Sequence, residues 1–188
     1  MKLDLITNKQ TVSNGINPND EFYTPNYAIE PLLKYLKPNS NVWCPFDTED
    51  SNFVKLLKLN GHEVTNSHIV NGIDFFDYTE TPIEGFDYII SNPPYSIKGK
   101  VFERLFRLNV PFAMLVGVVG LFESQNRFNL FKENRFEIMY LNKRVSYFKD
   151  YSEQKPSLNP PFSSVYVCQN VLPDRIVFET IHPRGGGI

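Results

Sequence analysis

Four consecutive residues, Asn92-Pro93-Pro94-Tyr95, carry the clearest chemical signal in the chain. They follow the run 86–91 (FDYIIS), which reads as a buried strand. Two consecutive prolines stiffen the backbone and remove two N–H donors. The side-chain oxygen of Asn92 and the carbonyl of Pro93 are then acceptors able to point at one position. An exocyclic amine, with two N–H donors, fits there, and Tyr95 lies where its ring can stack on a flat base. The amine of a nucleobase is a poor nucleophile, because its lone pair is delocalised into the ring. Two acceptors on its hydrogens favour a pyramidal nitrogen with the lone pair free to attack, and alignment supplies the rest. No general base of unusual pKa is required. Such a tetrapeptide arises by chance in fewer than about one chain in a hundred of this length. The plain alternative is a rigid turn with a packed tyrosine.

The elements that must position this corner follow from periodicity. Apolar residues at helical spacing predict helices over 26–37, 52–59, 100–108 and 127–134. Pro38-Asn39 ends the first, and Asn60-Gly61 caps the second. Apolar runs predict strands over 41–46, 62–69, 86–91, 110–119, 138–141, 163–168 and 175–178. Strand and helix alternate, which predicts an α/β fold with a largely parallel sheet. Ligands of such sheets bind outside the carboxyl ends of the strands, where Asn92 to Tyr95 stand.

The 188 residues suit one domain, with 1–20 a polar flexible arm, 21–180 the folded unit and 181–188 a disordered tail. A net charge of −2 argues against a broad basic surface, although Lys98, Lys100, Arg104 and Arg107 form a local group that reads as a solvated helix face. Cys44 and Cys168 fall in buried strands, so neither a disulfide nor a metal site is expected. No apolar run reaches the roughly 20 residues that span a bilayer, and the N-terminus has no signal-peptide pattern. We therefore expect an intracellular, cytoplasmic protein without membrane contact.

On Asn92-Pro93-Pro94-Tyr95 the chain resembles the adenine-N6 DNA methyltransferases, especially the small phage-type enzymes, over roughly residues 20–170. The resemblance implies a Rossmann-like S-adenosylmethionine-dependent methyltransferase fold, a mostly parallel seven-stranded sheet with one antiparallel strand. It implies that a flipped adenine enters the pocket with its amine on the tetrapeptide. It also implies roles for weaker matches. Tyr23-Thr24-Pro25 is similar to the element that contacts the methionine part of the cofactor, though Thr24 also reads as a plain N-cap. Asp74 and Phe75 are similar to the pair beside the cofactor's adenine. The segment 143–148 (KRVSYF) resembles the one near the target base, and 160–164 (PPFSS) precedes the last strands as in the family.

The cofactor loop departs from the pattern. The family has a Gly-rich turn after the first strand, where glycine permits close backbone approach. Here Pro45 and Phe46 align, but Asp47, Thr48, Glu49 and Asp50 follow and both glycines are missing. Asp47 is kept as a cofactor contact, able to accept from the methionine ammonium. The acidic residue that binds the ribose is also absent, and Ser67-His68 stand near its place. The expected activity is methyl transfer from S-adenosylmethionine to adenine N6 in DNA, and the expected partner is nucleic acid, DNA before RNA. No dedicated target-recognition region is expected, so a protein partner could supply specificity. Two alternatives stand beside it: a non-catalytic methyltransferase-like module that binds nucleic acid or protein, and transfer to another amine. The oligomeric state is not legible.

Overall fold

The computed structural model describes residues 22–78, 83–149 and 156–183, so the arm assigned to 1–20 and residues 184–188 of the tail assigned to 181–188 lie outside the described residues, whereas Ile181 is buried and its N–H donates to Asn142 Oδ1 (2.9 Å). Helix α1 (Asn26–Leu33) leads to strand β1 (Asn41–Cys44), α2 (Asn52–Leu59), β2 (Glu63–Asn66), β3 (Tyr88–Ser91), α3 (Lys98–Leu108), β4 (Phe112–Gly117), α4 (Gln125–Glu133) and β5 (Glu137–Leu141). A short ribbon of β6 (Tyr147–Phe148) and β7 (Pro156–Leu158) follows, then β8 (Ser164–Gln169) and β9 (Ile176–Glu179).

Seven strands form one sheet in the order β2-β1-β3-β4-β8-β5-β9. All neighbours are parallel except at β8, which runs antiparallel to both β4 and β5. The predicted sheet, mostly parallel with one antiparallel strand, is present. The order steps from β1 to β2 on one side and from β1 to β3 on the other. This reversal opens a crevice at the carboxyl ends of β1 and β3, and Asn92 follows the second of them.

Both faces of the sheet are covered, so its central strands are apolar on both sides. In β4, Phe112, Met114 and Val116 join Val101, Phe102, Leu105 and Phe106 of α3. Ala113 and Leu115 join Ile29 and Leu32 of α1 and Phe53 and Leu57 of α2 on the opposite face. Cys44 and Cys168 are buried and unlinked. Helix α1 ends earlier than the spacing predicts: Tyr35 N–H turns back to Leu32 O (3.0 Å) and Leu36 N–H to Leu33 O (3.2 Å), a tightened last turn that still buries Leu36. Helix α2 ends as expected, with Gly61 at φ +85° supplying the left-handed turn.

The join between β8 and β9 hangs on one carboxylate. Glu137 is buried at the start of β5 and accepts from the N–H groups of Asn170 (2.9 Å), Val171 (3.1 Å) and Leu172 (3.1 Å). Charge-assisted bonds of this kind contribute about 1.5–3 kcal/mol each. Glu137→Ala leaves three donors facing an apolar gap and is expected to cost about 3 kcal/mol or more. Urea unfolding with a lower midpoint and an unchanged slope checks this.

Candidate functional site

Asn92 leaves β3 with its amide nitrogen fixed. Nδ2 donates to Phe22 O (2.7 Å) and to Thr24 Oγ1 (3.2 Å). A carbonyl only accepts, so the nitrogen faces Phe22 and the oxygen faces away. That oxygen, Oδ1, is buried and meets no donor among the described residues. The N-cap reading of Thr24 is overturned. Pro25 takes the cap position of α1 without a side-chain bond, and the buried Thr24 turns its hydroxyl to Asn92 and its carbonyl to Asn52 Nδ2 (2.9 Å).

The loop after β1 places one carboxylate beside Asn92. Asp47 is only 6% exposed, and its two oxygens accept from the hydroxyls of Ser51 and Ser91. Burial pushes its pKa up to about 6, against the opposing pull of those two hydrogen bonds. No cationic side chain among the described residues pairs with it. Glu49 and Asp50 behave differently: they are exposed and reach Lys58 and Lys55. Ser51 also caps α2, accepting from Phe53 N–H (3.2 Å). The loop without glycine is thus held by a serine–aspartate–serine bridge between α2 and β3.

Tyr95 enters an aromatic cluster. Phe22 stacks on its ring at 4.9 Å and 24°, and Phe162 lies against it at 5.4 Å. The Tyr95 hydroxyl meets that of Tyr147 (3.0 Å), which in turn meets Ser164 Oγ (2.7 Å). Burial pushes the Tyr147 pKa up to about 12, opposed by the bonds to Ser164 and Tyr95, so this phenol stays neutral. Phe162 can lie here because residue 117 is glycine: a Cβ there would stand 2.7 Å from its ring. The segments 143–148 and 160–164 therefore meet at Tyr95, through Tyr147 and Phe162.

The remaining candidates spread along the crevice. Tyr23 pairs with Phe148 through a backbone bridge, its carbonyl accepting from Phe148 N–H (2.9 Å). Pro45 and Phe46 follow β1, and Phe46 packs on Phe75 at 4.9 Å. Phe75 is nearly fully buried beside Trp43, with the Arg104 guanidinium 5.3 Å above its ring. Asp74 caps its own turn by accepting from Phe76 N–H (2.9 Å). His68 caps the turn before it, accepting from Val70 N–H (3.1 Å).

Two cavities follow this line. One, about 90 Å³, is lined by Thr24, Asp47, Ser51, His68, Asn92 and Pro94 among others. The second, about 20 Å³, lies between Pro45, Phe46, His68, Asp74, Phe75 and Pro94. Phe46, His68 and Pro94 border both.

No protein-family model matches the sequence, and no curated protein is significantly similar to it. In structure, a modification subunit of a putative type I restriction enzyme from Vibrio vulnificus YJ016 aligns over 97% of this chain with a TM-score of 0.54 and 14% identity. The chain spans 51% of that protein's length. The fold is that of S-adenosylmethionine-dependent methyltransferases. A TehB-like SAM-dependent methyltransferase from Corynebacterium glutamicum (TM-score 0.42, 10% identity, 85% of this chain and 91% of that one) is also similar. So is a predicted O-methyltransferase from Agrobacterium tumefaciens (0.44, 12%, 79% and 83%).

Against S-adenosylmethionine, the cofactor that the sequence resemblance implies, the residues of the crevice fit the two ends unequally. Asp47, Thr24, Ser51 and the orphaned Asn92 oxygen form a polar lining suited to an amino-acid end. The other end is narrow. Ligand pockets hold about 300–1,000 Å³, so Phe46 and His68, both half-buried, must turn aside for an adenosine to pass between the cavities. Ser51, Ser91, Phe22 and Phe162 are the residues that sequence reasoning missed. Ser91 alone carried a signal, a polar side chain closing an apolar strand.

Proposed function

We propose that the chain transfers the methyl group of S-adenosylmethionine to the amino group of adenine in nucleic acid, DNA before RNA. One observation carries this reading: the buried Asn92 oxygen that no donor among the described residues satisfies, fixed at the carboxyl end of β3 beside a polar cavity. A buried acceptor without a donor costs about 1–3 kcal/mol, and an incoming N–H offsets that cost. Asn92 and the Pro93 carbonyl would hold the amine. Tyr95 would carry the ring, and Asp47, Thr24, Tyr23 and Pro25 would border the methionine end. Pro45, Phe46, Asp74 and Phe75 would border the adenosine end. The cofactor supplies an electrophilic methyl on sulfur. The protein's share is to hold the amine, strip it of water and direct its lone pair. The role named for the Vibrio structure, modification within a restriction enzyme, agrees with a nucleic-acid substrate.

Melting with S-adenosylmethionine and with S-adenosylhomocysteine tests the cofactor half: each is expected to raise the midpoint. Label from the methyl-labelled cofactor is then expected in plasmid DNA. No shift at millimolar ligand and no label in DNA, RNA or nucleosides would overturn the reading.

A second reading, a non-catalytic module that binds nucleic acid or protein, is favoured by Phe22. Its ring covers the Tyr95 face on which a base would stack, and its carbonyl holds Asn92. For an enzyme, Phe22 must move when substrate enters. Stacked aromatic pairs are worth about 0.5–1.5 kcal/mol. Phe22→Ala is therefore expected to tighten adenosine binding by about 2- to 10-fold, read by calorimetry. Weaker binding in that variant would show that Phe22 builds the base site instead of covering it.

A further inference from the structure

We propose that Asp47 is the group by which this crevice recognises a ligand's ammonium, replacing the glycine turn that the loop lacks. The inference rests on the cofactor reading above and gives that site its chemistry. Three observations carry it. First, of the three carboxylates in the loop, only Asp47 borders the cavity; Glu49 and Asp50 are exposed and already engaged by lysines. Second, Asp47 shares this lining with the Asn92 oxygen, a buried acceptor that meets no donor among the described residues. Such a wall accepts hydrogen bonds and matches a ligand group that only donates, which an ammonium does with three N–H bonds.

Third, the charge of Asp47 is not needed to hold the loop. Its structural task is to bridge Ser51 and Ser91. An asparagine could do this without charge, since a serine hydroxyl rotates to give or to accept. A buried carboxylate facing no cation is disfavoured. A cation arriving in the cavity removes that penalty, so the residue makes sense as half of a pair whose other half is the ligand. Two serine hydroxyls occupy one lone pair on each oxygen, and the lone pairs that remain can receive N–H donors.

The test pairs one substitution with one change in the ligand. S-adenosylhomocysteine carries the ammonium; 5′-methylthioadenosine has the same thioether adenosine without the amino-acid part. Both are titrated by calorimetry into wild type and Asp47→Asn, with melting curves confirming that the variant is folded. Asp47→Asn is expected to weaken S-adenosylhomocysteine by at least about tenfold and to leave 5′-methylthioadenosine within about twofold. Equal effects on the two ligands, or none on either, would overturn the assignment of Asp47 while leaving the cofactor reading intact. Failure of wild type to bind either ligand would overturn both.

Discussion

Replacing Asn92 with alanine is expected to lower the rate of methyl transfer by about two to three orders of magnitude, the loss typical of removing one preorganised polar group from a transition state. The Asn92 amide is held at its nitrogen by Phe22 O and Thr24 Oγ1, and its oxygen is buried and meets no donor among the described residues. Orientation is therefore set before any substrate arrives, and the acceptor need not be desolvated when the amine docks. Alanine removes the acceptor and also leaves Phe22 O without its donor, at a stability cost of about 1–3 kcal/mol. That cost is small beside the expected loss in rate, so single-turnover transfer on variant shown to be folded by melting separates the two effects. Asn92→Asp keeps an acceptor but turns a carboxylate toward Phe22 O, and is expected to fall between alanine and wild type. Wild-type rates in Asn92→Ala would remove this residue from the chemistry and leave the tetrapeptide a rigid turn.

The contrast between Asn92 and Phe22 shows what the sequence could and could not say. Asn92-Pro93-Pro94-Tyr95 is legible because its chemistry is local: two prolines fix the backbone, and an apolar run marks the strand before it. Helices α2 and α3 are legible because one buried face imposes a period of 3.6, and strands β3, β4 and β8 because burial on both faces leaves continuous apolar runs. The direction of β8 is not. SVYVCQ is buried at every position, and a buried run reads alike whether it runs with its neighbours or against them. Nor is the pairing of β6 with β7, two short pieces with no period to detect. Thr24 shows how a local rule fails. Threonine before proline and a helix reads as a cap, but Asn92, 68 residues away, takes its hydroxyl. The Phe22 stack on Tyr95 and the serine bridge around Asp47 are tertiary contacts of the same kind. The missing glycines are visible; that the aspartate in their place is buried, with no cation beside it among the described residues, is not.

Asp47→Asn is expected to make the unliganded protein more stable at neutral pH and to leave it nearly unchanged near pH 4. Burial raises the folded-state pKa of Asp47 to about 6, whereas an unfolded aspartate titrates near 3.9. Between those values the folded chain binds a proton that the unfolded chain does not, so stability falls as pH rises through this window. The favourable contribution of the neutral carboxyl is complete below about 3.9 and is gone above about 6. The full span corresponds to about 3 kcal/mol, part of which Asn forfeits through its altered bonds to Ser51 and Ser91. A gain of about 2 kcal/mol, or about 4–8 °C in melting midpoint, is expected at pH 7.5. Other titratable side chains lie nearby: His68 borders the same cavity, and Cys44 and Tyr166, both pushed up by burial, feel the Asp47 charge. All are present in both proteins, so the difference between the two melting-versus-pH curves reports the Asp47 carboxyl together with the effect of its charge on these neighbours. A variant less stable than wild type at pH 7.5 would mean that the carboxylate is already compensated in the free protein. The cavity would then have no electrostatic demand for a cation. The same substitution is expected to weaken the ammonium-bearing ligand, so stability and binding should move in opposite directions. A residue that destabilises the empty protein is retained because the ligand completes its pair.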